Sequence, residues 1–503
     1  MARQAGDWRV IVLTTIAPLL ILSILCALHV PLGKPATLTY LYSPIPLRRI
    51  GSALALLPIA ALAGYAVVLC DGLTRGRRRL GLALAALSLI GVGTWSYFAP
   101  PEHVNQHVFN MQSPSHDGAF VYEAFQFDDC RGYLRDFPQR AATPPAEMKG
   151  TRVISNPPGT TLLAYGVRRA LGDAALDILD VPEGAAELRF FRLRAGVGLV
   201  TLWIFTGLWI ASAAVIYGTG RLYFAEAPSA ALAILSVVTP MTLLFAPGKD
   251  VAQLFTLSVP LYLWLMAWRT GRRWAAAAAG LCLAAAILVS LVHAWLAAIV
   301  VAACVVAELR GGQLGRRLML LLIAGAGAMV GWGALWVIGV DVPSTLRAVA
   351  RAQAEVTRGA SAMPLMWQLL GVPIFVLFCG PAVVLALAGA FRPGAAAVGG
   401  RFARALSVGA LVVMLATIGF TNMETPRLWI AFVPLLLLAA FLRTDESMAS
   451  RPSQGSLGHA TRRARWLGML VAGQIAAGGL QWSLMDMRET ETRLIGETPR
   501  FFK

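Results

Sequence analysis

Long apolar runs separated by short clusters of arginine constrain the fold of this sequence more than any other feature. Roughly 20 consecutive apolar residues are needed for a helix to cross the hydrocarbon core of a bilayer. The chain has many runs of about that length, and their interiors carry almost no charge. Charged residues make up 14% of the 503 residues, whereas about a quarter of a soluble globular chain is charged. The sequence therefore predicts an all-α polytopic membrane protein.

We predict about 13 transmembrane helices from the length of these runs. Those read as single spans lie near Ile11–Val30, Ile50–Leu69, Leu80–Ala99, Ala195–Tyr217, Tyr223–Ala246, Val251–Trp268, Arg317–Val340, Val372–Phe391, Ala405–Phe420, Leu428–Leu442 and Trp466–Met485. The run from Trp274 to Val306 is too long for one ordinary helix and has arginines beyond both ends. It is expected to form a tight helical hairpin that turns near Val289–His293.

The arginine clusters set the orientation, because loops rich in Lys and Arg stay in the cytoplasm. With a cytoplasmic amino terminus, most basic clusters of this chain fall on the cytoplasmic side. The net charge of +17 follows this pattern, so no nucleic-acid partner is expected. One loop does not fit this pattern, because Lys34, Arg48 and Arg49 lie between the first two spans and would be external.

This orientation divides the chain into four parts. Residues 1–99 form helices 1–3, residues 100–194 form a large external loop, residues 195–485 form helices 4–13, and residues 486–503 form an external tail. Within the third part, segment 341–371 is external and contains a predicted interfacial helix from Ser344 to Thr357. Of six cysteines, Cys130 alone falls in the large loop, and no CxxC pair suggests a metal or redox site.

Acidic residues of the external loop are the candidate catalytic groups. A carboxylate at a membrane surface can remove a proton from an acceptor hydroxyl, or bind a divalent cation that neutralises a departing phosphate. Asp117 in His-Asp-Gly is preferred, with Asp128 and Asp129 behind it. The alternative is a solvated loop in which these acids pair with nearby arginines.

Two histidines at the start of the loop have helical spacing. His103 and His107 would face the same side of a helix, but the segment lacks the glutamate of a zinc-protease helix. Ordinary surface histidines are the expectation, and metal binding by this pair is the alternative.

A proline-rich segment further along the loop predicts the start of a helix. In Asn156-Pro157-Pro158-Gly159, the asparagine can cap a helix over Pro158–Leu171, because the first turn of a helix tolerates proline. The same helix end could bind an anion through its free N–H groups.

Further charged residues stand at the external ends of spans. Lys249 and Asp250 occur in Ala-Pro-Gly-Lys-Asp, and Glu424 and Arg427 occur in a turn between spans. Charge at such depth is costly, so it is usually paired or functional. Structural ion pairs and a phosphate-binding role are equally good interpretations. His293, at the hairpin turn, is either a satisfied polar tip or part of the substrate site.

These segments resemble the polytopic GT-C glycosyltransferases, in particular the bacterial branch with a His-Pro-Pro-Gly motif. The matching pieces are Tyr122 with the stretch Asp128–Asp136, then Asn156–Gly159, then Glu424-Thr-Pro-Arg427-Leu-Trp429. Two departures stand out. Asn156 replaces the histidine of the motif, and the first external loop, which often holds the catalytic carboxylate in this superfamily, contains no acid.

The resemblance implies transfer of a sugar from a polyprenyl-phosphate donor to a glycan, lipid or protein acceptor outside the cytoplasm. It implies a multi-pass protein of the bacterial cytoplasmic (inner) membrane, in contact with membrane lipid. The catalytic residues would be Asp117, Asp128 or Asp129, and the substrate would contact Asn156, Lys249, Asp250, His293, Glu424 and Arg427. The resemblance leaves open whether the reaction needs a divalent cation, Mg²⁺ or Mn²⁺.

Two other classes of function remain. A transporter or flippase of a lipid-linked or amphipathic substrate would also be polytopic, but transporters usually place ionisable residues near the middle of their spans. A structural or assembly subunit could keep the fold and lack the catalytic carboxylate.

Overall fold

The computed structural model describes residues 20, 24, 32–33, 39–42, 46–98, 107, 110–111, 117–143, 152–178, 186–309, 314–358, 375–390, 398–421, 425–449 and 456–488. This part of the chain is almost entirely helical. Its first predicted span, Ile11–Val30, lies largely outside these residues.

The helices in chain order are α1 Pro46–Leu54, α2 Leu56–Cys70, α3 Arg75–Phe98, α4 Gly118–Ala124, α5 Cys130–Ala141, α6 Gly159–Leu171, α7 Ala186–Arg221, α8 Glu226–Val237, α9 Pro240–Phe245, α10 Lys249–Thr270, α11 Arg273–Ile287, α12 Val292–Glu308, α13 Leu314–Val337, α14 Val342–Arg358, α15 Pro381–Ala390, α16 Val398–Thr421, α17 Thr425–Trp429, α18 Val433–Ala449 and α19 Ser456–Leu484. A 3₁₀ helix, Gly172–Ile178, follows α6. The exceptions to helix are three short strands, β1 Leu32–Gly33, β2 Thr39–Tyr42 and β3 Met485–Arg488.

Five of these helical segments are long and apolar enough to cross a membrane: Arg49–Cys70, Arg75–Phe98, Arg189–Arg221, Lys249–Thr270 and Arg317–Val337. Shorter apolar helices include Glu226–Val237, Arg273–Ile287, Val292–Glu308 and Val433–Leu442. The predicted span Tyr223–Ala246 is divided in two, because Pro240 starts a new helix that Thr239 caps through its side chain. The break between α11 and α12 lies at residues 288–291, within one or two positions of the predicted hairpin turn.

The interior of the bundle is built around α8 and α18. Every residue of α8 after Glu226 is buried, and Val433–Leu442 of α18 is buried throughout. Helix α13 lies at the periphery, with Leu322 at 75% and Trp336 at 73% exposure. Large apolar side chains exposed in this way need lipid or another apolar partner, so this surface agrees with a membrane-spanning helix.

Helix α7 positions the loop helices. At 36 residues it is about 54 Å long, far more than the roughly 30 Å hydrocarbon core needs. Its amino-terminal part packs against α4, α6 and the 3₁₀ helix through a separate apolar cluster that includes Val121, Ala164 and Leu199. The helices of the large loop are therefore held at one end of the bundle.

Other segments that share a predicted side also meet. Strand β2, from the loop after the first predicted span, pairs with β3 after the last helix. Helix α5 of the large loop packs against α14, with Phe137 and Val349 buried between them. Part of the apolar face of α14 therefore lies on protein, and the position of this helix at the membrane interface stays a prediction.

Contacts at the opposite end join segments that were predicted to be cytoplasmic. Arg78 pairs with Glu226 at 3.1 Å, and Arg317 pairs with Glu308 at 3.6 Å. The Arg401 guanidinium donates to the Ala307 carbonyl oxygen at 3.1 Å. The two sets of segments thus gather at opposite ends of the bundle.

Candidate functional site

Charged side chains from three parts of the chain converge at the amino-terminal end of α10. Asp117 and Arg152 come from the large loop, Lys249 and Asp250 begin α10, and Arg427 comes from α17. We call these five residues the charge cluster. Its members are three cations and two carboxylates.

Asp117 joins the loop to α10. One carboxylate oxygen accepts a hydrogen bond from Arg152 Nη1 at 2.6 Å, and the other accepts from the Lys249 backbone N–H at 2.7 Å. Asp117 stands at the N-cap position of α4 without capping that helix. A Cβ atom at Gly248 would lie 3.1 Å from the Asp117 carboxylate and 2.9 Å from the Phe245 carbonyl oxygen. Glycine at this position therefore leaves room for the close approach of Asp117.

Lys249 is buried, with 2% of its surface exposed. Its ammonium group donates to the side-chain oxygen of Asn156 and lies 5.0 Å from the centroid of the Phe120 ring. The Asn156 amide nitrogen donates to the Arg152 carbonyl oxygen at 2.8 Å. A buried ammonium needs such partners because its desolvation is costly.

The prediction that Asn156 caps α6 is wrong. The N-cap residue is Pro158, without a capping side chain, and the helix spans Gly159–Leu171. The buried amine of Lys249 needs the Asn156 oxygen, so that oxygen faces away from the helix N–H groups.

Gly159 ends the proline motif and contacts the hairpin turn. Its N–H donates to the Leu288 carbonyl oxygen at 2.8 Å, and a Cβ atom here would lie 2.6 Å from that oxygen. Only glycine permits this approach without a shift of backbone. The motif thereby fixes α6, and with it Asn156, against the α11–α12 turn.

Asp250 is the second carboxylate of the cluster. It accepts from Arg152 Nη2 at 3.2 Å, from the Gln253 side-chain amide at 3.2 Å, and pairs with Arg427 Nε at 3.6 Å. Two residues after Arg427, Trp429 is fully buried and donates to the Met414 carbonyl oxygen at 3.1 Å, which anchors α17 to α16.

Asp128 and Asp129 lie apart from the charge cluster. Asp128 is 81% exposed at its side chain and pairs with Arg168. Asp129 is the N-cap of α5 and accepts from the Arg131 backbone N–H at 3.0 Å. The geometry gives no support to a catalytic role for Asp128 or Asp129, and that role stays a prediction.

A second ion pair, in which the carboxylate is buried, stabilises the loop helices. Glu123, which is 2% exposed, receives two hydrogen bonds from Arg140, one of them 2.6 Å long. The Glu123 carboxylate raises the pKa of Arg140, and burial raises the pKa of the neighbouring Tyr133. This pair joins α4 to α5.

Of the two candidate metal ligands, His107 lies among the described residues. His107 is buried, with its Nε2 atom 3.1 Å from the Tyr97 carbonyl oxygen, so the expectation of a surface position is wrong. His103 and Glu424 lie outside the described residues. Within the described ranges, no group of three His, Cys, Asp or Glu side chains is arranged to hold a metal ion.

His293 lies deeper in the bundle than the charge cluster. Its Nδ1 atom is 2.8 Å from the Ser290 carbonyl oxygen, which can only accept, so Nδ1 carries the hydrogen. Nε2 faces the Thr256 hydroxyl at 2.9 Å. The side chain also lines an apolar cavity of about 220 Å³ between α10, α11, α12 and α13.

This cavity begins close to the charge cluster. Leu257, Leu261 and Trp264 of α10 line it together with Leu296 and Val300 of α12. Leu257 follows Lys249 by eight residues, which is about 12 Å along a helix. A single helix therefore carries the buried charges at its start and the wall of an apolar cavity two turns later.

Arg152 was missed in the sequence, although it binds both carboxylates of the cluster. Its side chain is 16% exposed. The available signal was its position four residues before Asn156, beside the apolar pair Val153 and Ile154, both of which are buried.

No protein-family model matches the chain, and no curated protein matches it significantly.

Proposed function

We propose that this protein is a membrane glycosyltransferase that moves a sugar from a polyprenyl-phosphate donor to an acceptor on the non-cytoplasmic side. The charge cluster at the start of α10 carries this proposal. It combines two carboxylates, three cations and an adjoining apolar cavity at one end of an apolar helix. We also propose that about 13 helices cross the bacterial cytoplasmic membrane, with the cluster outside.

The cations of the cluster suit a phosphate group. Lys249 supplies a point charge, and Arg427 supplies a planar guanidinium that matches phosphate oxygens. Together they would bind the donor phosphate and stabilise the negative charge that grows on it as the sugar leaves.

Asp117 would act as the general base. It accepts the proton of an acceptor hydroxyl while that oxygen forms a bond to the anomeric carbon of the sugar. The bond between this carbon and the phosphate oxygen breaks, and its electron pair stays on the phosphate. The products are the glycosylated acceptor and a polyprenyl phosphate.

The apolar cavity would receive part of the prenyl chain. A donor anchored in the membrane has its reacting bond near the headgroup plane and its tail among the helices. Lys249 and Leu257 lie on the same helix about 12 Å apart. This distance allows the phosphate to bind the cluster while the first isoprene units reach the cavity.

The position of the charges favours chemistry at one surface over transport across the membrane. Among the described spans, the buried charged residues Lys249 and Glu308 stand at helix ends. A flippase would instead need polar groups along a path through the bilayer.

The test uses purified full-length protein in liposomes with radiolabelled polyprenyl-phosphate hexoses and pentoses and an extract of envelope glycans, lipids and proteins. Transfer of label to an acceptor, with release of polyprenyl phosphate, would support the proposal. Movement of the intact donor to the other leaflet without a transfer product would identify a flippase and refute it.

A further inference from the structure

Arg152 connects the two carboxylates of the charge cluster. Nη1 donates to Asp117 at 2.6 Å and Nη2 donates to Asp250 at 3.2 Å, so a single guanidinium spans the loop and α10. The side chains involved are 13% to 19% exposed, which keeps solvent from weakening these bonds greatly.

This arrangement leaves an acceptor hydroxyl little access to Asp117. Both of its oxygens accept strong hydrogen bonds, one from Arg152 and one from the Lys249 N–H. A general base must come within hydrogen-bond reach of the proton that it removes, with an oxygen free to accept it. Each carboxylate oxygen keeps a second lone pair, but the Asp117 side chain is only 13% exposed, so an acceptor hydroxyl needs one of these two groups to move aside.

The bond to Arg152 is the one that an anion can open. The Lys249 N–H belongs to the backbone of α10 and is fixed there, whereas Arg152 is a flexible side chain whose planar fork binds phosphate as well as carboxylate. A phosphate bound between Lys249 and Arg427 would also bring its negative charge close to Arg152, because Asp250 contacts both arginines.

We propose that Arg152 is a positioning residue that keeps Asp117 closed until a prenyl phosphodiester binds. The phosphate draws the guanidinium away, which frees one Asp117 oxygen for the acceptor while the Lys249 N–H still holds the other. Donor binding must then precede acceptor binding. This inference rests on the proposed function for the identity of the phosphate, although phosphate binding can be measured without sugar transfer.

The test measures carbodiimide modification of Asp117 by peptide mapping, since a carboxylate held by arginine reacts slowly. Farnesyl methyl phosphate serves as the probe because it carries one negative charge and a prenyl chain. Farnesol supplies the chain alone, and dimethyl phosphate supplies the charge alone. The exposed carboxylate of Asp136, 67% accessible, calibrates the reagent dose within the same sample.

We expect farnesyl methyl phosphate to raise modification of Asp117 severalfold and farnesol to leave it unchanged. A response to dimethyl phosphate as well would identify the phosphodiester alone as the trigger; a response to the prenyl compound only would identify a lipid-linked ligand. Arg152→Gln should give high modification without any probe and no further response. Unchanged or reduced modification of wild-type Asp117 with farnesyl methyl phosphate would overturn the inference.

A second variant separates this role from a structural one. Arg152→Lys keeps the charge but can hold only one carboxylate well, so its Asp117 should react at an intermediate rate and still respond to the probe. We also expect about a tenfold weaker binding of farnesyl methyl phosphate to Arg152→Gln, the loss of one charge-assisted hydrogen bond. Equal modification of Asp117 in wild type and Arg152→Gln would contradict the proposal.

The inference and the proposed function can fail separately. A labelling response without sugar transfer would keep the role of Arg152 and refute the transferase. Sugar transfer without a labelling response would keep the transferase and refute the role of Arg152.

Discussion

Asp117 accepts a hydrogen bond from the backbone N–H of Lys249 at 2.7 Å, across 132 positions of the sequence. This bond ties the large loop to the first turn of α10, where a carboxylate also meets the positive end of the helix dipole. The Lys249 side chain turns the other way, toward Asn156. One residue thus holds the proposed base with its backbone and offers its side chain to the proposed substrate.

Lys249→Met is predicted to weaken donor binding more than it slows the chemical step. The substitution removes a buried positive charge but keeps the backbone N–H that binds Asp117. We expect KM for a polyprenyl-phosphate sugar to rise by about tenfold or more, with a smaller change in kcat. Lys249→Arg, which keeps the charge, should show a smaller rise. Unchanged KM in Lys249→Met would remove this residue from the phosphate site.

Gly159→Ala is predicted to destabilise the protein, whereas Gly166→Ala on the same helix is not. A Cβ atom at Gly159 would lie 2.6 Å from the Leu288 carbonyl oxygen, and one at Gly166 would meet nothing within 4 Å. We expect a loss of about 1–3 kcal/mol for the first and a gain of up to about 1 kcal/mol for the second. Thermal unfolding in detergent would measure both, and equal melting temperatures would contradict the packing described for the motif.

Sidedness, together with the resemblance, led to Asp117, Asn156, Lys249, Asp250 and Arg427 being placed in one predicted site. Arginine clusters assign helix ends to one side, so polar residues at the other ends must share a surface. That reasoning cannot choose among acids of one loop, because the choice depends on tertiary contacts. Asp117 accepts a hydrogen bond from the first residue of α10. In contrast, Asp128 pairs with Arg168, and Asp129 caps α5.

Predictions from local sequence patterns failed where a residue far away in the sequence formed a competing contact. Asn156 has the right residue type and position for a helix cap, but the Lys249 amine, 93 positions away, takes its side-chain oxygen. Arg152 was missed for the same reason, since both of its carboxylate partners are far away in the sequence. The amphipathic pattern of α14 correctly predicted a helix, but periodicity alone did not show that α5 packs against it.

Arg140→Ala is predicted to loosen the loop helices. It would leave the Glu123 carboxylate, 2% exposed, without the two hydrogen bonds that it receives from Arg140. We expect a loss of about 2 kcal/mol. Arg135→Ala is the control, because the Arg135 and Asp136 side chains are mostly exposed and such pairs contribute little. Limited proteolysis of the loop should cleave Arg140→Ala faster, and equal rates for the two variants would argue against the buried pair.

Labelling of Cys130 tests on which side of the membrane the large loop lies and how nearby charge affects the thiol. Burial and the negative charge of Asp129 raise the pKa of the Cys130 thiol, so less of it is thiolate at neutral pH than in a free cysteine. Labelling by a membrane-impermeant maleimide, followed by peptide mapping, should therefore be slow near pH 7 and accelerate as the pH rises.

Asp129→Asn should accelerate that labelling at a fixed pH, because it removes the charge and keeps a side chain that caps α5 well. Intact cells should be labelled as readily as permeabilised ones if the loop is external. Labelling only after permeabilisation would reverse the proposed orientation, and an unchanged rate in Asp129→Asn would contradict the electrostatic effect.

Sugar transfer by Asp117→Asn tests the central claim most directly. The amide keeps the size of the side chain and cannot accept a proton as a base, so the loss should be about 10²- to 10⁴-fold in kcat with the protein still folded in the membrane. Asp136→Asn, an exposed carboxylate outside the cluster, is the matched control and should transfer sugar at the wild-type rate. Full activity in Asp117→Asn would contradict the assignment of this site.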